Sequence, residues 1–197
     1  MPRLSQATKD VRKDAILAAA RKLLVRRNFD DVCMAEIASE ARVAKGTLFL
    51  YFPNKEDLFS AVYLSLFDAL GAKYDALIAE NLPPAKLLRK TALVMMDHFE
   101  RNKDFTERFR AGRFNTEKTA ELMARTRTAN LARLVRIMEI CAAGGFLEDF
   151  DNAYAASALF GLCRGAIVHK RITGRKLGHE DFADRILHIF IKGIGKK

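Results

Sequence analysis

From residue 9 to residue 27 the apolar positions Ile16, Ala19, Ala20, Leu23 and Leu24 fall at i, i+3, i+4, i+7 and i+8. That spacing predicts a helix with one buried stripe, closed at its far end by Phe29. A shorter pattern follows. Met34, Ile37, Ala38 and Ala41 share one face while Glu36 and Glu40 take the other, which predicts a short helix. Arg42-Val43-Ala44 reads as a turn, and a second short helix starts near Lys45 with Leu48 and Phe52 facing inward. Pro53 breaks the pattern, Asn54 is a predicted N-cap, and Glu56 and Asp57 suit the first turn of the next helix. That helix runs from Lys55 towards Glu80 on Leu58, Val62, Leu66 and Ala69, and Asn81-Leu82-Pro83-Pro84 ends it. Further helices are predicted at about 85–101, 104–112, 116–143, 151–172 and 179–193, with breaks at Asn102, near Gly112, at Gly144-Gly145 and at Thr173-Gly174. No alternating strand pattern interrupts them. The chain is predicted to be all-α with about nine helices. A three-helix domain occupies residues 1–54, and a helical bundle occupies residues 55–197.

The segment from Val32 to Tyr51 carries the chemistry. Two short helices joined by a tight turn form a helix-turn-helix, whose second helix fits a DNA major groove about 12 Å wide. On that helix Lys45, Thr47, Leu50 and Tyr51 are left on the outer surface once Leu48 and Phe52 turn inward. The unpaired N–H groups at a helix start suit phosphate, and Lys45 adds a full charge there. The blocks ILAAARKLL, MAEIASEARVAKGTLFLYF and PNKEDLF, in that order and spacing, resemble the N-terminal DNA-binding region of the TetR (tetracycline repressor) family. The resemblance covers Ile16 to Phe59, roughly a third of the chain. It implies that Lys45, Thr47 and Leu50 face DNA beside Gly46, and that Tyr51 and Lys55 contact phosphates. Three positions depart from the family pattern. Arg42 stands where the turn usually has Gly, so a positive φ there would be strained or is not needed. Cys33 stands where Ser or Thr usually caps the first short helix and meets phosphate. Phe49 replaces a common Tyr.

Charge adds to this picture without localising it. The formal net charge is +10, with a pI near 9.7, and the excess is shared between both parts of the chain, so a polyanion partner is expected. No apolar run reaches the ~18 residues of a membrane span, and the first fifteen residues lack a secretory-type apolar segment. A cytoplasmic protein is therefore expected. Cys33, Cys141 and Cys163 are odd in number and widely spaced, against a disulfide framework or a zinc cluster. No Gly-rich phosphate loop, HExxH pair or supported Ser/His/Asp arrangement is present, so neither an enzyme nor a cofactor or metal is expected.

Two patterns in the bundle bear on function. In the helix at 151–172, Ala153, Ser157, Gly161 and Gly165 recur every four residues and would let another helix approach closely. Arg164, on the same helix, and Ile186 and Phe190 in the last helix extend the predicted patch. The family resemblance implies a homodimer built from the last two helices of each protomer, which would hold two heads at a fixed spacing. Met95, Met96 and Phe99, then Phe109, then Met123 and Leu134 are soft or aromatic side chains that could line a cavity for a hydrophobic small-molecule effector, with Arg127 and Asn130 as polar contacts. The function expected is a dimeric repressor of double-stranded DNA, released from a palindromic operator by that ligand. The alternative is an effector-independent, nucleoid-associated DNA-binding protein of the same fold.

Overall fold

The computed structural model describes residues 6–111, 117–148, 150–174 and 178–194. Among them are eight helices and no β-strand: α1 (Gln6–Leu24), α2 (Met34–Glu40), α3 (Lys45–Tyr51), α4 (Lys55–Ala79), α5 (Pro84–Ala111), α6 (Glu117–Ala143), α7 (Asn152–Thr173) and α8 (His179–Ile194). The all-α fold is as expected, but the count is one lower. The helices predicted at 85–101 and 104–112 are one, α5, which passes through Asn102 without a break. Asn102 is tolerated inside a helix because its side chain is buried and donates back to the His98 carbonyl at 2.7 Å. The break predicted near Gly112 lies outside the described residues.

The described residues form two compact units. The first comprises those up to Leu66 together with those between Lys103 and Met123, and the second those from Phe67 to Asn102 and from Ala124 onward. Helices α4, α5 and α6 each contribute residues to both.

In the first unit Ile16, Ala19, Ala20 and Leu24 form the buried stripe of α1, against which α2 packs. Ile37 and Ala38 of α2, Leu48 of α3 and Phe52 complete the small core, and the start of α4 adds Leu58, Phe59 and Val62. Phe29 closes it edge-on to Phe59, 4.6 Å between ring centroids. Asn54 opens α4 by accepting the Asp57 N–H at 2.7 Å, as its position predicts.

In the second unit a continuous apolar core runs through Leu70, Tyr74, Leu87, Met95, Leu134, Ile137, Leu159, Cys163, Phe182 and Phe190. Asp151 caps α7 by accepting the Ala153 and Tyr154 N–H groups at 2.8 and 3.0 Å. Gly174, at φ 65°, ends α7. Helix α8 buries Phe182, Ala183, Ile186, Leu187 and Phe190 on one stripe and packs against α7. On its other side Asp184 takes a two-pronged bond from Arg89 of α5, Nε at 2.8 Å and Nη2 at 3.2 Å.

Candidate functional site

The head is built by one helix ending and one helix starting within a few residues. Helix α2 stops in a complete Schellman motif. The Arg42 N–H donates to the Ser39 carbonyl at 3.1 Å and the Val43 N–H to the Ala38 carbonyl at 3.0 Å. The motif requires a left-handed residue after the cap, and Arg42 supplies it at φ 55°. The positive φ that the missing glycine placed in question is therefore adopted by an arginine. The same motif ends α6, where Gly145 takes φ 71°, the Gly145 N–H meets the Ala142 carbonyl and the Phe146 N–H meets the Cys141 carbonyl.

At its other end α2 begins on Cys33, whose extended backbone fits an N-cap. The Cys33 N–H donates to Glu36 Oε2 at 2.9 Å, the backbone half of a capping box. Glu36 also accepts Arg27 Nη1 at 2.8 Å, and Arg27 donates as well to the Asp31 carbonyl. The Arg27 guanidinium first, and then the Cys33 N–H, hold the Glu36 carboxyl down at about 2. A second ion pair, Lys22 to Glu40 at 2.6 Å, ties α1 to α2. Both pairs are exposed, so they set orientation more than stability.

Helix α3 anchors through Leu48, which is fully buried, and ends at Phe52. Lys45, Gly46, Phe49 and Leu50 are exposed, Thr47 and Tyr51 half-buried. Leu50 is 86% exposed, an apolar side chain presented almost whole to solvent. A Cβ added to Gly46 would meet nothing within 4 Å, so no described residue crowds this position. Lys55 is half-buried, its ammonium 4.1 Å from the centroid of the Phe29 ring. Cys33 is exposed. The six residues expected to face DNA on and just after α3 are thus grouped on one short helix and its immediate flank.

A second feature lies wholly in the second unit. A cavity of about 190 Å³ is walled by Phe67, Leu70, Leu131, Leu134 and Phe160, with Tyr74, Arg127, Asn130 and Ser157 as its polar members. Asn130 is fixed by donating to the Phe67 carbonyl at 2.8 Å. A Cβ at Gly71 would come within 2.5 Å of Asn130 Oδ1, so this glycine is what lets the amide sit there. Burial pushes the Tyr74 phenol above its usual range, and Cys163 up to about 12. Of the residues expected to line an effector cavity, Arg127, Asn130 and Leu134 do so. Met95 and Met96 do not: they are fully buried in the core. Phe99 packs edge-on to the cavity residue Phe160 at 5.2 Å. Phe109 belongs to the first unit, stacked on Tyr63 at 4.6 Å, and Met123 is buried there too. Tyr74, the most deeply placed polar wall residue, was not singled out from the sequence. Its signal was a tyrosine in the apolar row Leu70, Tyr74, Leu77 of α4.

A third feature is a groove of about 870 Å³ along α7 and α8, lined by Gly161, Gly165, Phe182, Ile186 and Ile189 among others. Ala153, Gly161, Arg164 and Gly165 are exposed, and a Cβ at either glycine would meet nothing within 4 Å. Ser157 lines the cavity. Ile186 and Phe190, expected on the outer patch, are buried because the apolar stripe of α8 turns inward, though Ile186 also borders this groove. Ile189 of α8 is exposed.

The family model described as "Bacterial regulatory proteins, tetR family" matches residues 16–62, which span α1, α2, α3 and the start of α4. These residues thus carry the sequence pattern of the TetR family's N-terminal region. The transcriptional regulator EthR of Mycolicibacterium smegmatis is 31% identical over 102 residues, 49% of this chain and 45% of that protein. The first curated relatives are matched over less than half of their own length, 38% and 45% for the first two. Among solved structures, the flavonoid-responsive regulator FrrA is 26% identical with a TM-score of 0.65, covering 94% of this chain and 98% of that one. Regulator FadR of Bacillus subtilis, solved with stearoyl-CoA, has a TM-score of 0.75 at 20% identity over 92% of this chain and 98% of that one. The sequence likeness is thus to transcriptional regulators, and the likeness in fold extends along nearly the whole length of these structures.

Proposed function

We propose that the protein is a homodimeric repressor that grips a palindromic duplex site through α3 and is released by a small, largely apolar ligand held in its second unit. The exposed surface of α3 carries this reading: a cation, a glycine and a bare leucine on a helix anchored by Leu48. Lys45, Thr47 and Leu50 meet the groove in this reading. Tyr51, Lys55 and Cys33 position the head on phosphates. Phe29 holds the Lys55 ammonium in place, which lowers the ordering cost of that contact. The net charge of +10 favours a polyanion over the whole surface.

Dimerisation rests on the α7–α8 face. Tyr154, Val168, Ile172 and Ile189 are exposed apolar residues there, and Gly161 and Gly165 leave open space that the described residues do not fill. A second copy using the same face gives a two-fold dimer and two heads, so two half-site affinities combine. The effector half of the proposal rests on the cavity, and it is supported by two proteins of similar fold, FrrA, named flavonoid-responsive, and FadR, solved in complex with stearoyl-CoA. In this reading the protein acts on DNA in the cytoplasm; no described helix is long and apolar enough to cross a membrane.

The test is selection of bound duplexes from a random pool, followed by affinity for the winner. A palindromic sequence bound about a thousandfold above random DNA is expected. Weak binding with no preferred sequence would contradict the proposal.

A further inference from the structure

The cavity of the second unit carries more information than its apolar walls. Two buried polar atoms on its lining residues, the Tyr74 hydroxyl and Asn130 Oδ1, have no hydrogen-bond partner among the described residues. Neither residue is open to solvent: Tyr74 is 0% exposed and Asn130 6%. Buried polar groups are nearly always bonded, and two left unmet around one apolar space are a departure that wants an occupant.

The polarity each atom asks for is fixed. Asn130 gives its amide N–H to the Phe67 carbonyl at 2.8 Å. A carbonyl cannot face another acceptor, so the orientation of this amide is determined and Oδ1 remains as an acceptor only. The Tyr74 hydroxyl can donate or accept, and burial keeps it protonated. The wall hydroxyl of Ser157 is already committed to the Ala153 carbonyl at 2.8 Å. Size is the second constraint. At about 190 Å³ the space is smaller than the ~300–1,000 Å³ of drug-sized pockets, and a cavity of about 150 Å³ takes benzene.

We infer that the cavity binds a compact, neutral, single-ring or fused-ring molecule bearing a hydroxyl or N–H donor, the chemical class of phenols and indoles. Its ring lies among Phe67, Leu70 and Phe160, its donor serves Asn130 Oδ1, and Tyr74 completes the polar contact. This rests on the second unit being the effector body and specifies the effector. It also sets the chain apart from a regulator that takes a long acyl chain, for which this volume has no room.

Calorimetric titration of the full chain with 4-ethylphenol, indole, ethylbenzene and octanoyl-CoA tests it. 4-Ethylphenol and indole should bind at least tenfold more tightly than ethylbenzene, which has nearly the same shape and no donor. Tyr74→Phe should lower 4-ethylphenol affinity about three- to tenfold and leave that of ethylbenzene unreduced. Ethylbenzene binding as well as 4-ethylphenol, tight binding of octanoyl-CoA alone, or no binding by any probe would overturn the inference. These comparisons on the unsubstituted chain hold even if the variant fails to fold. Binding of 4-ethylphenol that leaves operator affinity unchanged would uphold the ligand class and remove the effector role. Operator release by octanoyl-CoA without phenol binding would do the reverse.

Discussion

Arg42 holds a conformation that its side chain disfavours, and the consequence can be worked through. It sits at φ 55°, exposed, at the left-handed position of the Schellman motif that ends α2. A left-handed conformation costs a residue with a Cβ roughly 1–2 kcal/mol. Glycine removes that cost and adds back roughly 0.5–1 kcal/mol through its freer unfolded chain. Arg42→Gly should therefore stabilise the protein by about 0.5–1 kcal/mol. For a chain of this size, each kcal/mol moves Tm by about 2–4 °C, so calorimetry should show a rise of about 1–4 °C. Arg42→Ala separates the causes: it removes the guanidinium but keeps the Cβ, and should leave Tm nearly unchanged. The mirror experiment is at α6, where Gly145 fills the same position at φ 71° and Gly145→Ala should destabilise by about 1 kcal/mol. A fall in Tm for Arg42→Gly, or an equal gain for Arg42→Ala, would refute the backbone argument.

Three further outcomes follow from particular side chains. Leu48→Ala, at the fully buried anchor of α3, should cost about 2–5 kcal/mol in urea denaturation. Tyr74→Phe should leave the ligand-free protein as stable or up to about 1 kcal/mol more stable, because it removes a buried hydroxyl with no partner; the urea midpoint reads this. Glu36 has a folded pKa of about 2 against an ordinary 4.5. Its contribution is fully present above the unfolded value and is lost as pH falls through the folded one. The urea midpoint should fall with acid across that window, and more shallowly in Glu36→Gln.

The head was legible because its signals are local. The apolar stripe of α1, the inward pair Leu48 and Phe52, and the Asn54 cap each follow from spacing and side-chain chemistry, and all three stand in the structure. The continuity of α5 was not legible, because a polar residue reads as a break until its bond back to the His98 carbonyl is seen. Nor could periodicity say which apolar face of a wholly helical bundle meets which. Met95 and Met96 looked like cavity residues and are core; Phe190 looked outward and is core; Ile186 is buried yet borders the α7–α8 groove; Ser157 is exposed and also borders the cavity. Tyr74 escaped notice because its significance lies in a missing partner, which only three dimensions reveal. Arg42 shows the converse. The sequence flagged it correctly as a departure, but whether the turn would relax or the arginine would bear the strain depended on two backbone bonds, to Ser39 and Ala38.

The central claim is that the outer surface of α3 reads DNA sequence, and Leu50 tests it most directly. Its side chain is 86% exposed in the free protein, and the proposal has it meet a base edge or sugar on binding. Truncation to alanine removes three carbons of contact, worth about 1.5 kcal/mol per head by partial apolar burial, or about tenfold in affinity per head and about a hundredfold for a two-headed dimer. The measurement is the Kd of Leu50→Ala for the selected duplex and for a random duplex, at one salt concentration. A loss of tenfold or more at the selected site with random binding unchanged is the predicted result. Equal affinity of variant and parent at the selected site would show that α3 does not read sequence through this face.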